Sequence, residues 1–128
     1  MTERWTFDFL VDGQSLAGRF GVAERDLVGR LDRADRAANA AAIRVLTGED
    51  PPDLPPDRVI LFVCPECGGL GCGAVTAAVR VTDKAVTWSD FLHENSYDES
   101  MSTPFPGVGP FEFDADAYRR VLGQTVER

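Results

Sequence analysis

From Trp5 to Val11 the apolar residues Trp5, Phe7, Phe9 and Val11 alternate with Thr6, Asp8 and Leu10. That period of two predicts a strand with an aromatic inner face. Asp12-Gly13 supplies a turn, and Ser15, Leu16, Ala17 and Phe20 read as the returning half of a hairpin, its end blurred by Gly18 and Gly21. The pattern then changes. Between Glu24 and Leu46 the residues Leu27, Leu31, Ala34, Ala38, Ala41 and Val45 follow one another at spacings of four and three, which places them on one helical face. Arg30, Arg33, Asp35 and Arg36 take much of the rest. Gly29 and Asp32 interrupt the run, so the segment reads as one long helix or two short ones, with Asp32 able to cap a second helix that ends at Gly48. The amphipathic pattern predicts packing against a sheet rather than against a second copy of the chain.

Residues 49–57 hold four prolines, which exclude helix and ladder pairing and leave an extended connector. Arg58-Val59-Ile60-Leu61-Phe62-Val63 is apolar on both faces and predicts a central buried strand that ends at Cys64. After a glycine-rich loop, Ala74 to Val81 and Ala85 to Phe91 form a second hairpin around Asp83-Lys84. The polar stretch from His93 to Ser100 and the prolines and glycines between Pro104 and Pro110 predict a long irregular loop, with Phe105 and Val108 turned onto the core. Asp114 is a plausible N-cap for a last helix burying Tyr118, Val121 and Leu122, with Phe113 and Tyr118 placed as a hydrophobic staple. The expected fold class is α+β: a mostly antiparallel sheet, one long or two short helices in the N-terminal half and a short C-terminal helix, in a single domain over residues 1–128.

Composition narrows the function classes. A chain of 128 residues with 44% hydrophobic content buries roughly two-thirds of its unfolded surface and needs neither disulfides nor a metal to fold. The net charge of -8, from 21 acidic and 13 basic residues, repels phosphate backbones and anionic membrane surfaces. Nucleic acid is therefore not the expected partner, and a basic protein suits the chain better. Acidity that serves only solubility explains the same charge. No run approaches about 18 apolar residues, and the first residues lack a basic stretch followed by a long apolar one, so the expected location is the cytoplasm, with no membrane partner. An odd number of cysteines packed closely together does not resemble a secreted disulfide framework.

The chemistry concentrates in Cys64-Pro65-Glu66-Cys67-Gly68-Gly69-Leu70-Gly71-Cys72-Gly73, which contains all three cysteines and four of the twelve glycines. Cys64 and Cys67 form the C-P-x-C-G turn of a zinc knuckle, and Cys72 is near enough in sequence to be a third ligand. Tetrahedral zinc takes four ligands, so a protein-only site requires His93, the one histidine. Whether the hairpin returns His93 to the loop depends on its register. Thiol redox chemistry at Cys64 and Cys67 is an alternative, but the glycines that follow oppose the helix start that lowers a thiol's pKa in thioredoxin-like proteins, and Glu66 disfavours a thiolate. A third reading is metal-free: small buried residues in a tight turn. Asp90, Glu94, Asp98 and Glu99 are candidate paired carboxylates or cation ligands that also read as a solvated acidic loop. Cys72 with His93 is a candidate nucleophile and base. Trp5 and Trp88 read as core.

Cys64 to Thr76 (CPECGGLGCGAVT), then Trp88-Ser89-Asp90-Phe91 with Glu94-Asn95, and Gly109-Pro110-Phe111 before a short terminal helix, resemble a group of small bacterial proteins of uncharacterised activity. These are common in actinomycetes and share a CPECG-x-x-GCGA loop. The resemblance covers roughly the second half of the chain and implies a bacterial cytoplasmic protein. An oxidoreductase label sometimes attached to such sequences has no physical counterpart in these residues. The residues together lead to the expectation of a non-enzymatic binding or adaptor protein whose cysteine loop holds zinc. The alternatives are a thiol redox protein and an acidic inhibitor or immunity-like protein that covers a basic partner.

Overall fold

The computed structural model describes residues 9–11, 14–21, 28–31, 36–54, 57–63, 73–94 and 103–127. The expected α+β architecture is present. A short pair, β1 (Leu10–Val11) and β2 (Gln14–Ser15), precedes α1 (Leu16–Phe20), β3 (Val28–Gly29) and α2 (Arg36–Leu46). Strands β4 (Arg58–Val63), β5 (Ala74–Val81), β6 (Ala85–Glu94), β7 (Thr103–Pro104) and β8 (Phe111–Asp114) follow, and α3 (Ala115–Glu127) ends the chain. The main sheet is antiparallel, ordered β3-β4-β5-β6-β7, with β8 sharing the outer edge of β6 beside β7. No helix among the described residues is long and apolar enough to cross a membrane.

Strand β5 lies at the centre, and from Ala74 to Ala78 it is buried on both faces. Small and β-branched residues fit such an enclosed position. One face carries Phe62, Val75, Ala77 and Trp88 into the main core. The rings of Phe9, Phe20 and Tyr118 close over that face in edge-on contacts with Phe62 and Trp88, with centroids 5.4 to 6.1 Å apart. Edge-on packing sets the positive rim of one ring against the negative face of the next.

Several elements differ from the sequence reading. Leu16–Phe20 is a helix rather than a returning strand. Ser15 caps it, its Oγ accepting from the Gly18 amide at 3.0 Å, and Gly21 ends it in the left-handed conformation at φ 62°. The expected helical run from Glu24 contains strand β3, because Val28 and Gly29 pair with Val63 and Phe62. A free edge of β4 outweighs a weak helical periodicity that Gly29 already interrupts. The inner face of α2 is Asn39, Ala42 and Leu46, whereas Ala38 and Ala41 are exposed. Alanine occurs all round this helix and cannot mark its buried side; the bulk of Leu46 and Ile43 does. The helix ends at Leu46, and the chain turns away at Gly48, at φ 81°. Strand β6 runs on through Leu92, His93 and Glu94, β7 forms within the stretch expected to be irregular, and β8 follows it from Phe111. Phe105 and Val108 pack against the core as expected.

At the C-terminus the expected helix forms and buries Tyr118 and Leu122, but Val121, expected beside them, is 57% exposed, because it falls on the outer side of α3. Asp114 Oδ2 accepts from the Ala117 amide at 2.9 Å, and Phe113 stacks on Tyr118 with centroids 5.6 Å apart. The Tyr118 hydroxyl then joins three elements: it donates to the Leu46 carbonyl at 2.9 Å and accepts from Trp88 Nε1 at 3.2 Å. Burial pushes the Tyr118 phenol well above its ordinary value, because the low-polarity surroundings penalise the phenolate, and the Trp88 hydrogen bond offsets only part of this. The folded protein therefore holds the Tyr118 proton more tightly than the unfolded chain does. This contribution to stability is complete below the unfolded value of 10.0 and declines as pH rises above it. Thermal melts between neutral pH and strong alkali should show a loss above that point that is smaller in Tyr118→Phe. At neutral pH the same variant should lose about 1–3 kcal/mol, because Trp88 Nε1 and the Leu46 carbonyl are left without this partner.

Candidate functional site

The register of the central hairpin decides where His93 goes. Val63, the last residue of β4, pairs with Ala74, and Ala74 pairs with Glu94. Val75 stands between Phe62 on one side and His93 on the other, so all three share the core-facing side of the sheet. His93 is thus half-buried at the end where the chain leaves β4 for Cys64 and re-enters β5 after Cys72. Its imidazole lies over Gly73. A Cβ on Gly73 would sit 3.0 Å from His93 Nε2 and 3.2 Å from Cε1, and the Gly73 backbone has φ 106°. Glycine is therefore required here by contact and by backbone conformation alike. Cys64, Cys67 and Cys72 lie outside the described residues, as do Asp98 and Glu99. Among the described residues there is no group of three or more histidine, cysteine, aspartate or glutamate side chains able to hold a metal.

The opposite face of the same strands carries a polar cluster that sequence patterning did not reveal. Thr76 is fully buried there. Its hydroxyl accepts from Arg58 Nε at 3.0 Å and Arg58 Nη2 at 2.8 Å, and donates to Glu94 Oε2. Arg58 Nε also stands 3.4 Å from Glu94 Oε2, and Arg58 Nη2 donates to the Asp90 carbonyl at 2.6 Å. Asp90 reaches that position through a bulge: Asp90 and Phe91 together oppose Ala77, and Asp90 adopts φ 51°. A second irregularity faces it across β5, where Leu61 is the extra residue between Ile60 and Phe62. Bulges of this kind re-aim side chains and sharpen the local bend. Glu94, a candidate cation ligand from sequence, is thus engaged by Thr76 and Arg58, while Asp90 is exposed. The clue in the sequence was a lone threonine within the otherwise apolar run from Ala74 to Val79.

The outer edge of β4 is closed by another ion pair. Arg30 and Asp53 meet in a two-pronged contact, with Nη2 to Oδ1 at 2.9 Å; Asp53 Oδ2 also accepts from the Ile60 amide at 2.9 Å, and Arg30 Nη1 donates to the Ile60 carbonyl at 3.1 Å. The pair blocks edge-to-edge pairing where β3 has ended.

A groove of about 320 Å³ opens between the C-terminal end of α2, the turn after it and the sheet. Val45, Val59, Val79 and Val81 line it together with Pro51 and Pro52, and Glu49, Asp50 and Asp57 add carboxylates. Gly48 lets the turn lie against the sheet, since a Cβ there would sit 3.3 Å from Val81 Cγ2. No protein-family model, curated protein or solved structure matches this chain.

Two substitutions test these arrangements by denaturant unfolding. Gly73→Ala should cost about 1–3 kcal/mol, and adding His93→Ala should restore part of that loss, since it removes the contact but not the backbone strain. Thr76→Val keeps shape and removes the shared hydroxyl, and should cost about 1–3 kcal/mol.

Proposed function

We propose that this chain is a non-enzymatic binding or adaptor protein whose loop at the end of the central sheet is organised by zinc, with Cys64, Cys67, Cys72 and His93 as the four ligands. The observation that carries the reading is the position of His93. Its imidazole lies against Gly73, the residue after Cys72, at the sheet end where Val63 leads into Cys64. Three thiolates and one imidazole form a closed structural zinc set, and a closed set leaves no open position for a substrate. Zinc would then fix a glycine-rich corner that has little side-chain bulk to hold its own shape, as expected of a recognition surface rather than of a reaction centre.

Protein purified without an affinity tag under reducing conditions should carry about one equivalent of zinc. Less than about half an equivalent overturns the metal reading. Cobalt(II) exchange should give the absorption of a tetrahedral thiolate site, and His93→Ala should release the metal to a chelator sooner than the parent protein does. Zinc affinity should rise with pH, because binding displaces protons from the thiols.

A second reading, an acidic inhibitor or immunity-like protein that covers a basic partner, is favoured by the net charge of -8 and by the three carboxylates around the valine groove.

A further inference from the structure

The groove at the end of α2 supplies more than a site of attraction. Its walls are the aliphatic groups of Val45, Val59, Val79 and Val81 and the rings of Pro51 and Pro52, so whatever occupies it must present apolar surface. Glu49, Asp50 and Asp57 add negative charge, and no lysine or arginine lines the groove among the described residues. The C-terminal end of α2 abuts it, adding the negative end of a helix dipole. Arg44, the residue before Val45, pairs with Asp50 at 3.1 Å through side chains that are both about half exposed (49% and 44%). Such pairs contribute little and exchange readily. Lysine and arginine side chains combine the two properties the groove requires: an aliphatic stem that covers apolar surface and a cationic head that reaches the polar rim. At about 320 Å³ the groove is at the lower end of small-molecule sites and is open to solvent, so it fits a side chain carried by a chain segment better than an enclosed metabolite.

We infer that this groove docks a basic, extended segment of a partner protein, with a lysine or arginine stem on Val45, Val79 and Val81 and its charged head among Glu49, Asp50 and Asp57. The inference rests on the basic-partner reading above and names its site; it is independent of the zinc reading. Arg44 acts as the internal competitor, holding Asp50 until the segment arrives.

The test is a titration of methyl-labelled full-length protein, followed by NMR, with a capped heptapeptide of alternating valine and arginine between terminal glycines. Its glutamate counterpart serves as control. The valine methyls of the groove should shift with the arginine peptide and not with the control. Affinity should fall about tenfold in Glu49→Gln/Asp57→Asn and should fall with added salt. Arg44→Ala should bind a few-fold tighter because Asp50 is released, whereas Arg80→Ala, on the other face of β5, should not. Equal tightening by both variants would reduce the effect to net charge and overturn the groove. Shifts confined to residues elsewhere would also overturn it while leaving the basic-partner reading standing. No shift up to about 1 mM peptide would remove both.

Discussion

Strand β5 is paired along both edges and covered on both faces, and that constraint governs the rest of the molecule. A strand so enclosed tolerates neither a one-residue slip nor a large side chain: a slip would carry Val75 and Ala77 out of the aromatic core and put Thr76 into it. Its register therefore fixes β4 and β6 together. It also fixes what lies at the ends of those strands. The chain leaves Val63 and returns at Gly73 beside His93, and at the other end the hairpin turn receives α3, whose Ala115 amide donates to the Lys84 carbonyl at 3.0 Å.

The two faces of this sheet are stabilised by different physics. On the core side, burial of Phe62, Trp88, Phe91 and their ring partners supplies non-directional apolar stabilisation. Trp88, Tyr118 and the Leu46 carbonyl add the directional hydrogen bonds that hold α2 and α3 in place. On the far side Thr76 links Arg58 to Glu94, so that a buried hydroxyl and two charged groups satisfy one another. Removing any one member leaves the others desolvated, which makes such a cluster a determinant of register more than a source of net stability. The flanking irregularities at Leu61 and at Asp90-Phe91 bring Arg58 and the Asp90 carbonyl together.

The functional readings follow from the same geometry at opposite ends of the sheet. At the loop end, a histidine is set over a glycine next to the cysteine-rich segment. At the hairpin end, the valines of β4 and β5 that α2 leaves uncovered form an acidic-rimmed groove. The two surfaces share β5 as a common wall: Gly73 precedes its first residue, and Val79 and Val81 close its last turn.

Much of this was legible in the sequence. The apolar run of β4, the hairpin around Asp83-Lys84, the Asp114 cap and the Phe113–Tyr118 staple are local patterns, in which nearby residues meet their own backbone or their hairpin partner. His93 stands out in the sequence as the one histidine, whereas its placement beside Gly73 is a matter of register. Strand β3, the inner face of α2, the Arg58–Thr76–Glu94 cluster and the valine groove were not legible. Each depends on which residues distant in sequence become neighbours: Gly29 is a strand because Phe62 has a free edge, and Thr76 is polar because Arg58 and Glu94 converge on it. Sequence fixes periodicity, caps and turns, because these are satisfied within a few residues. Only the folded sheet decides pairing partners, buried polar contacts and open grooves, because these are set by long-range register.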